Sequence, residues 1–191
     1  LDDKVRSATT ERVNQGMLLN LIRNASNEVR PADRQNIYEE SNAAQKAVRA
    51  FFDCLKTQMQ KQIDEAQQDM RYADRFFFDG STASLELLDA MAEAIKSVAL
   101  SIQVYASFDY REHSTAASDE LDAVSESLAE LMAQLDDTLL WIERRGSIAE
   151  LVYCPKDTRK ITNRLYFSGH ERVILTSATL TNAHQASTTA T

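Results

Sequence analysis

The sequence predicts a mainly α-helical chain: an elongated antiparallel helical bundle over residues 1–145, followed over 146–191 by a small βαβ piece. Three observations carry this. Only four glycines and two prolines interrupt 191 residues, so turns are few and helices can be long. Through most of residues 1–145, apolar residues recur at the spacing that lines one face of a helix. Beyond Gly146 that period gives way to short apolar runs, and the charge changes with it. Residues 114–145 hold eight acids against Arg144 and Arg145, whereas residues 146–191 hold five bases against three acids.

Taken in order, residues 4–29 read as a first helix, with Val13, Leu18, Leu21, Ile22, Ala25 and Val29 on one stripe. Pro31 suits the first turn of a second helix, which runs from Ala32 to about Met70 along Ile37, Ala44, Val48, Phe51, Leu55, Met59 and Ile63, with a kink or break expected near Ser41-Asn42. The stretch Arg71 to Gly80 interrupts the pattern, and Asp79-Gly80 signals a turn. Ser81, Thr82 or Ser84 can cap a third helix, whose seam is Leu85, Leu88, Ala92, Ile95, Ala99, Ile102 and Tyr105. A loop holding His113 leads to a fourth helix capped by Ser118, with Leu121, Val124, Leu128, Leu131, Leu135 and Ile142 as its seam. At 1.5 Å per residue that helix would be ~40 Å long. Four such helices bury one another as a bundle. After Gly146, residues Ile148 to Tyr153 read as a strand ended by Pro155, Asp157 caps a short helix through Leu165 and Phe167, and a second strand comes after Gly169. Strand, helix, strand in this order suggests a parallel pair.

Composition narrows the function classes. The longest uncharged run near the middle, Ser97 to Phe108, falls short of the ~20 apolar residues that span a bilayer. Cys54 and Cys154 lie in different segments without metal-ligand spacing, so a reducing cytoplasm is the expected setting and no metal is expected. The net charge of −8 argues against a broad basic grip on nucleic acid. The chain contains no Gly-x-x-x-x-Gly-Lys-Ser/Thr phosphate loop, no Glu-x-x-His pair and no Gly-x-Ser-x-Gly elbow, so it is not expected to catalyse a reaction alone.

One stretch points to chemistry. Val173-Ile-Leu175 is an apolar run of the kind buried on both faces of an α/β sheet, and Thr176-Ser-Ala-Thr179 is a small hydroxyl turn directly after it. Ligand groups of such sheets sit at the carboxyl ends of strands, where Ser177 and Thr179 fall. The stretch Val-Ile-Leu-Thr-Ser-Ala-Thr-Leu-Thr-Asn resembles motif III, the Ser-Ala-Thr motif, of superfamily 2 helicases in its DinG/XPD form. Leu151-Val-Tyr-Cys-Pro155 and Leu165-Tyr-Phe167 resemble the approach to that motif. Leu1-Asp2-Asp3 resembles the residues directly after the Asp-Glu-Ala-His Walker B box in these proteins. In that branch a helical insertion, the Arch domain, lies between the two motifs, as residues 4–145 would.

The resemblance implies that the chain, which begins at Leu1 and ends in Ala-Ser-Thr-Thr-Ala-Thr, is a piece of an ATP-dependent 5′-to-3′ DNA helicase from a bacterial cytosol, with roles in DNA repair or replication. ATP and Mg would be held by motifs outside this piece. The family's iron–sulfur cluster, where present, uses four Cys before the Walker B box, and some relatives carry an exonuclease domain instead. Ser177 and Thr179 would be coupling hydroxyls that link nucleotide state to motion of the motor lobes; a hydroxyl can both donate and accept, and so respond to a change in its partner's charge. The partners implied are single-stranded DNA and the remaining motor domains, with no membrane.

Nucleic-acid contacts are expected from the residues themselves at Arg71, Tyr72, Arg75 and Phe76, a stacking-plus-charge surface, and at Arg144, Arg145, Lys156 and Lys160, which could meet phosphates. The plainer reading of Phe76-Phe77-Phe78 is an apolar plug at the end of the bundle, and that of the bases is solvated charge. A competing class is a non-enzymatic acidic bundle that docks protein partners through an exposed seam. The Thr-Ser-Ala-Thr tail discriminates against it, because a scaffold has no use for that turn.

Overall fold

The computed structural model describes residues 9–66, 73–105 and 116–157. The chain divides into two compact units, Thr9–Lys156 and the flanking Leu1–Ala8 with Asp157–Thr191. All described residues except Asp157 belong to the first unit. It is mainly helical, with a small sheet.

A short strand, β1 (Glu11–Asn14), opens it, and helix α1 (Gln15–Glu28) comes directly after. The first helix therefore starts eleven residues later than its apolar stripe suggested. Asn14 is the reason: its Oδ1 accepts a hydrogen bond from Met17 N at 2.9 Å and so caps the helix there. At the far end, Pro31 disfavours helical backbone in the residue before it. Arg34 then donates from Nε to Val29 O at 3.0 Å and from Nη2 to Asn27 O at 2.6 Å, covering carbonyls that the last turn leaves open.

Pro31 does not begin the second helix. A turn and a 3₁₀ segment (Arg34–Ile37) intervene before α2 (Tyr38–Glu65), which is unbroken at Ser41-Asn42. Ser41 is buried instead, its Oγ 3.2 Å from Ser26 Oγ on α1. Strand β2 (Arg75–Phe77) leads to α3 (Thr82–Tyr105), which begins where the stripe predicts. Ser81 stands before its first residue, with Leu85 N donating to Ser81 O at 3.0 Å.

The fourth helix departs most. Helix α4 covers Ala116–Ala133, roughly two-thirds of the expected length, and Ser118 lies inside its first turn. The Ser118 amide donates to Glu28 Oε2 at 3.2 Å, so a carboxylate from α1 meets the positive end of α4. After a 3₁₀ turn (Leu135–Asp137), residues Thr138–Arg145 form strand β3, and Ile148–Pro155 form β4. Asp136, Asp137 and Thr138 rank low as helix formers. Thr138 to Ile142 is rich in β-branched, aromatic and apolar residues, and every residue of β3 pairs with β4, from Thr138↔Pro155 to Arg145↔Ile148. Gly146, at φ +62, makes the turn. It is the tip of a hairpin, and not a joint between a helical segment and the next one.

The sheet is antiparallel, in the order β1-β4-β3-β2. β4 has antiparallel partners on both sides, so it is not the first strand of a parallel βαβ pair. The short helix and the strand expected after residue 157 lie outside the described residues. Helices α1 to α4 pack in a ring, each against its sequence neighbour and α4 back against α1. The row Phe76, Ile142, Leu151 and Val13 crosses all four strands and joins the same core as Phe51, Phe52, Ile95 and Leu128. Burying such side chains contributes ~1.5–3 kcal/mol each, which is what seats the sheet on the bundle.

Candidate nucleic-acid interface

Side chains of a strand alternate between faces, so the inward row above determines the outward one. Cross-strand pairs Arg75↔Glu143, Glu143↔Glu150 and Asn14↔Glu150 place these four residues together on the face away from the helices. Phe77↔Trp141, Trp141↔Val152 and Arg12↔Val152 form the adjacent row on the same face. Arg145 stands two residues beyond Glu143.

Two glutamates directly opposite each other repel, and both are buried, Glu143 with 8% of its surface exposed. Arginines compensate. Glu143 Oε2 accepts from Arg12 Nη2 at 3.0 Å, its Oε1 accepts from Trp141 Nε1 at 3.0 Å, and Arg75 Nε lies 3.2 Å from Oε1. Burial pushes the Glu143 carboxyl up, but the hydrogen bonds from Trp141 and Arg12 and the charges of Arg12 and Arg75 outweigh it and hold it below the ordinary carboxylate range. Glu150 Oε1 accepts from Asn14 Nδ2 at 3.3 Å. Arg145 Nε stands 3.2 Å from Glu150 Oε2, near enough for charge pairing but not aligned as a hydrogen bond.

The exposed part of the face lies on the β2–β3 side, because on β4 the outward residues Glu150, Val152 and Cys154 are all buried. Arg75 places its guanidinium carbon 6.0 Å from the centre of the Trp141 ring, within cation–π range. Phe77, beside it on β2, is 80% exposed. Its backbone is clamped by one side chain of α2: Gln62 Nε2 donates to Phe77 O at 2.8 Å, and Phe77 N donates to Gln62 Oε1 at 3.0 Å. Gln62 thus occupies the open edge of β2, where another chain could otherwise pair. With Glu143 held ionised by its arginine and indole partners, the face presents guanidiniums beside the Phe77 and Trp141 side chains.

The expected nucleic-acid contacts and the two expected coupling hydroxyls, Ser177 and Thr179, separate into three groups. Arg71, Tyr72, Lys160, Ser177 and Thr179 lie outside the described residues. Arg75 and Arg145 stand on the outward face. Phe76, Arg144 and Lys156 do not. Phe76 is 2% exposed in the core, with the Arg144 guanidinium 5.5 Å from its ring centre, so it has no free face for a base. Arg144 shares that inward face, and its amide donates to Asp74 O at 2.7 Å. Lys156 folds onto the acidic turn, donating from Nζ to Asp136 O at 2.5 Å. Sequence reasoning missed Arg12, Phe77, Trp141, Glu143 and Glu150. The signal was parity: once Arg75–Phe77 is a strand, Arg75 and Phe77 share a face and Phe76 takes the other.

Among the described residues no helix is long and apolar enough to cross a membrane. Comparison with protein-family models, with curated proteins and with solved structures finds no match for this chain.

Proposed function

We propose that this chain is the helical insertion and motif III segment of an ATP-dependent 5′-to-3′ DNA helicase of the DinG/XPD type. The observation that carries this is the sequence Val173 to Asn182, a β-branched apolar run followed directly by Thr-Ser-Ala-Thr-Leu. The fold of the preceding residues supports it. A module inserted into another domain needs its entry and exit side by side. Here β1, at the entry, pairs with β4, at the exit, with Glu11 opposite Tyr153.

In this reading Ser177 and Thr179 relay the state of the nucleotide site to the motion that moves DNA. ATP and Mg are bound by motifs elsewhere in the motor, and single-stranded DNA passes beside the helical unit in a cytoplasmic setting. The acidic docking-module reading draws on nothing in the tail.

The test is DNA-stimulated ATP hydrolysis and unwinding of a 5′-tailed duplex by the full-length protein containing this chain. Wild type should hydrolyse ATP faster with single-stranded DNA present. Thr179→Ala should still bind ATP yet lose at least tenfold in unwinding, the equivalent of ~1.4 kcal/mol of coupling. A wild-type protein without DNA-dependent hydrolysis would sink the helicase reading and favour the docking module.

A further inference from the structure

The outward sheet face combines features that no other part of the described surface brings together. In a chain of net charge −8, it gathers Arg12, Arg75 and Arg145 around two glutamates, an excess of positive charge. The carboxylates hold Arg75 and Arg145 through Nε. The forked terminal nitrogens of both remain available to a phosphate, the group that arginine's planar fork matches best. Arg75 and Arg145 side chains are 74% and 61% exposed. In the row next to Arg75 stand Phe77 and Trp141, paired across neighbouring strands, and the Gln62 clamp fixes the backbone of Phe77 so that little order must be imposed on binding. From β2 to β1 the sheet spans three strand spacings, about 14 Å. Glu150 and Val152 on the intervening β4 are buried, so the exposed groups are Arg75, Phe77 and Arg145 on β2 and β3 and the partly exposed Arg12 on β1.

We propose that this face binds single-stranded nucleic acid, with a base stacked on Phe77 next to Trp141 and phosphates held by Arg75, Arg145 and Arg12. Stacking needs an unpaired base, which excludes a regular duplex, and rings flanked by guanidiniums are the recurring solution for sequence-tolerant strand binding. The inference deepens the helicase reading and takes from it only the choice of DNA as the probe. Glu143 is a positioning residue here, since it orients Arg75, Arg12 and the Trp141 ring without touching the strand.

Trp141 is the only tryptophan in the chain, so its fluorescence reports on this face alone. Titrating the 191-residue chain with oligo(dT) at low salt should quench Trp141 to saturation, while a blunt duplex should not. The log–log salt dependence of affinity should have a slope of about −2, since each of three phosphate contacts contributes ~0.7. Phe77→Ala should weaken binding about five- to 150-fold without moving the thermal midpoint, because the ring is solvent-facing. Arg75→Gln should weaken it and make the salt slope shallower by ~0.7. Absence of quenching, or a Phe77→Ala chain that binds as wild type does, overturns the proposal. So does equal quenching by polyglutamate, which would mark the face as a site for acidic proteins. If oligo(dT) does not bind while the full-length protein still shows DNA-stimulated ATP hydrolysis, this site is wrong and the helicase reading stands. Quenching with no such hydrolysis gives the reverse.

Discussion

Glu143 shows how one side chain can organise a surface. It is buried, faces another glutamate across the strand, and remains ionised because two guanidiniums and an indole N–H reach it. Burial alone would favour the neutral acid; the partners reverse that. A carboxyl whose folded value lies below its unfolded value of ~4.3 adds stability above that unfolded value. The contribution is lost as pH falls through the lower, folded value. Glu143→Gln should therefore cost ~1–2 kcal/mol at pH 7, measured by urea unfolding. The gap between variant and wild type should close as the pH is taken below ~4. A gap of the same size in acid would mean that packing, and not charge, is what Glu143 supplies. Tyr153 has the opposite sign: burial pushes its phenol up, against a 2.7 Å hydrogen bond with Ser127 that pulls it down. Its contribution is present at neutral pH and is lost in strong alkali.

At the scale of elements, the hairpin β3–β4 is the largest departure from the helical pattern. Leu121 to Leu131 keep to a helix seam, and Leu135 and Ile142 continue that spacing. The same stretch, from Thr138 on, also alternates as a strand, with Leu140 and Ile142 inward and Trp141 and Glu143 outward. Both periods fit so short a run. The decision came from β4, an apolar segment that needs partners on both sides. Gly146 lets the chain reverse tightly between them. Nothing lies within 4 Å of a Cβ added at Gly146, so its φ of +62 is the sole obstacle to a side chain there. Gly146→Ala should destabilise by ~1–2 kcal/mol through backbone strain alone, and Gly146→Asn by less, because asparagine tolerates that region. Thermal unfolding of the two variants measures the difference. Equal loss in both would show that the turn relaxes to another conformation.

For the whole molecule, the pairing of β1 with β4 closes residues Thr9–Lys156 into one unit whose ends lie side by side. The core runs through all four helices and the inward face of the sheet without interruption. A unit with its own core and adjacent ends is expected to fold by itself. Residues 9–156, expressed alone, should keep a helical circular-dichroism spectrum and melt in a single cooperative transition. A broad, non-cooperative melt would show instead that the unit needs the flanking segments to fold.

Local chemistry was enough to mark the helices α1, α2 and α3. Their apolar stripes are long, and the buried residues Leu18, Ile22, Val48, Phe51, Leu88 and Ile95 are those the stripes pointed to. The Thr-Ser-Ala-Thr stretch, with the function proposed from it, is likewise legible only as sequence. What local chemistry left open was settled by pairing over long sequence separations. Arg12 meets Glu143 across 131 positions and Asn14 meets Glu150 across 136, contacts that no local pattern encodes. The outward face came from those pairings, because a strand's register decides in one step which of its side chains face the core. That is why Phe76 lies buried while Phe77, the next residue, stands in solvent beside Trp141.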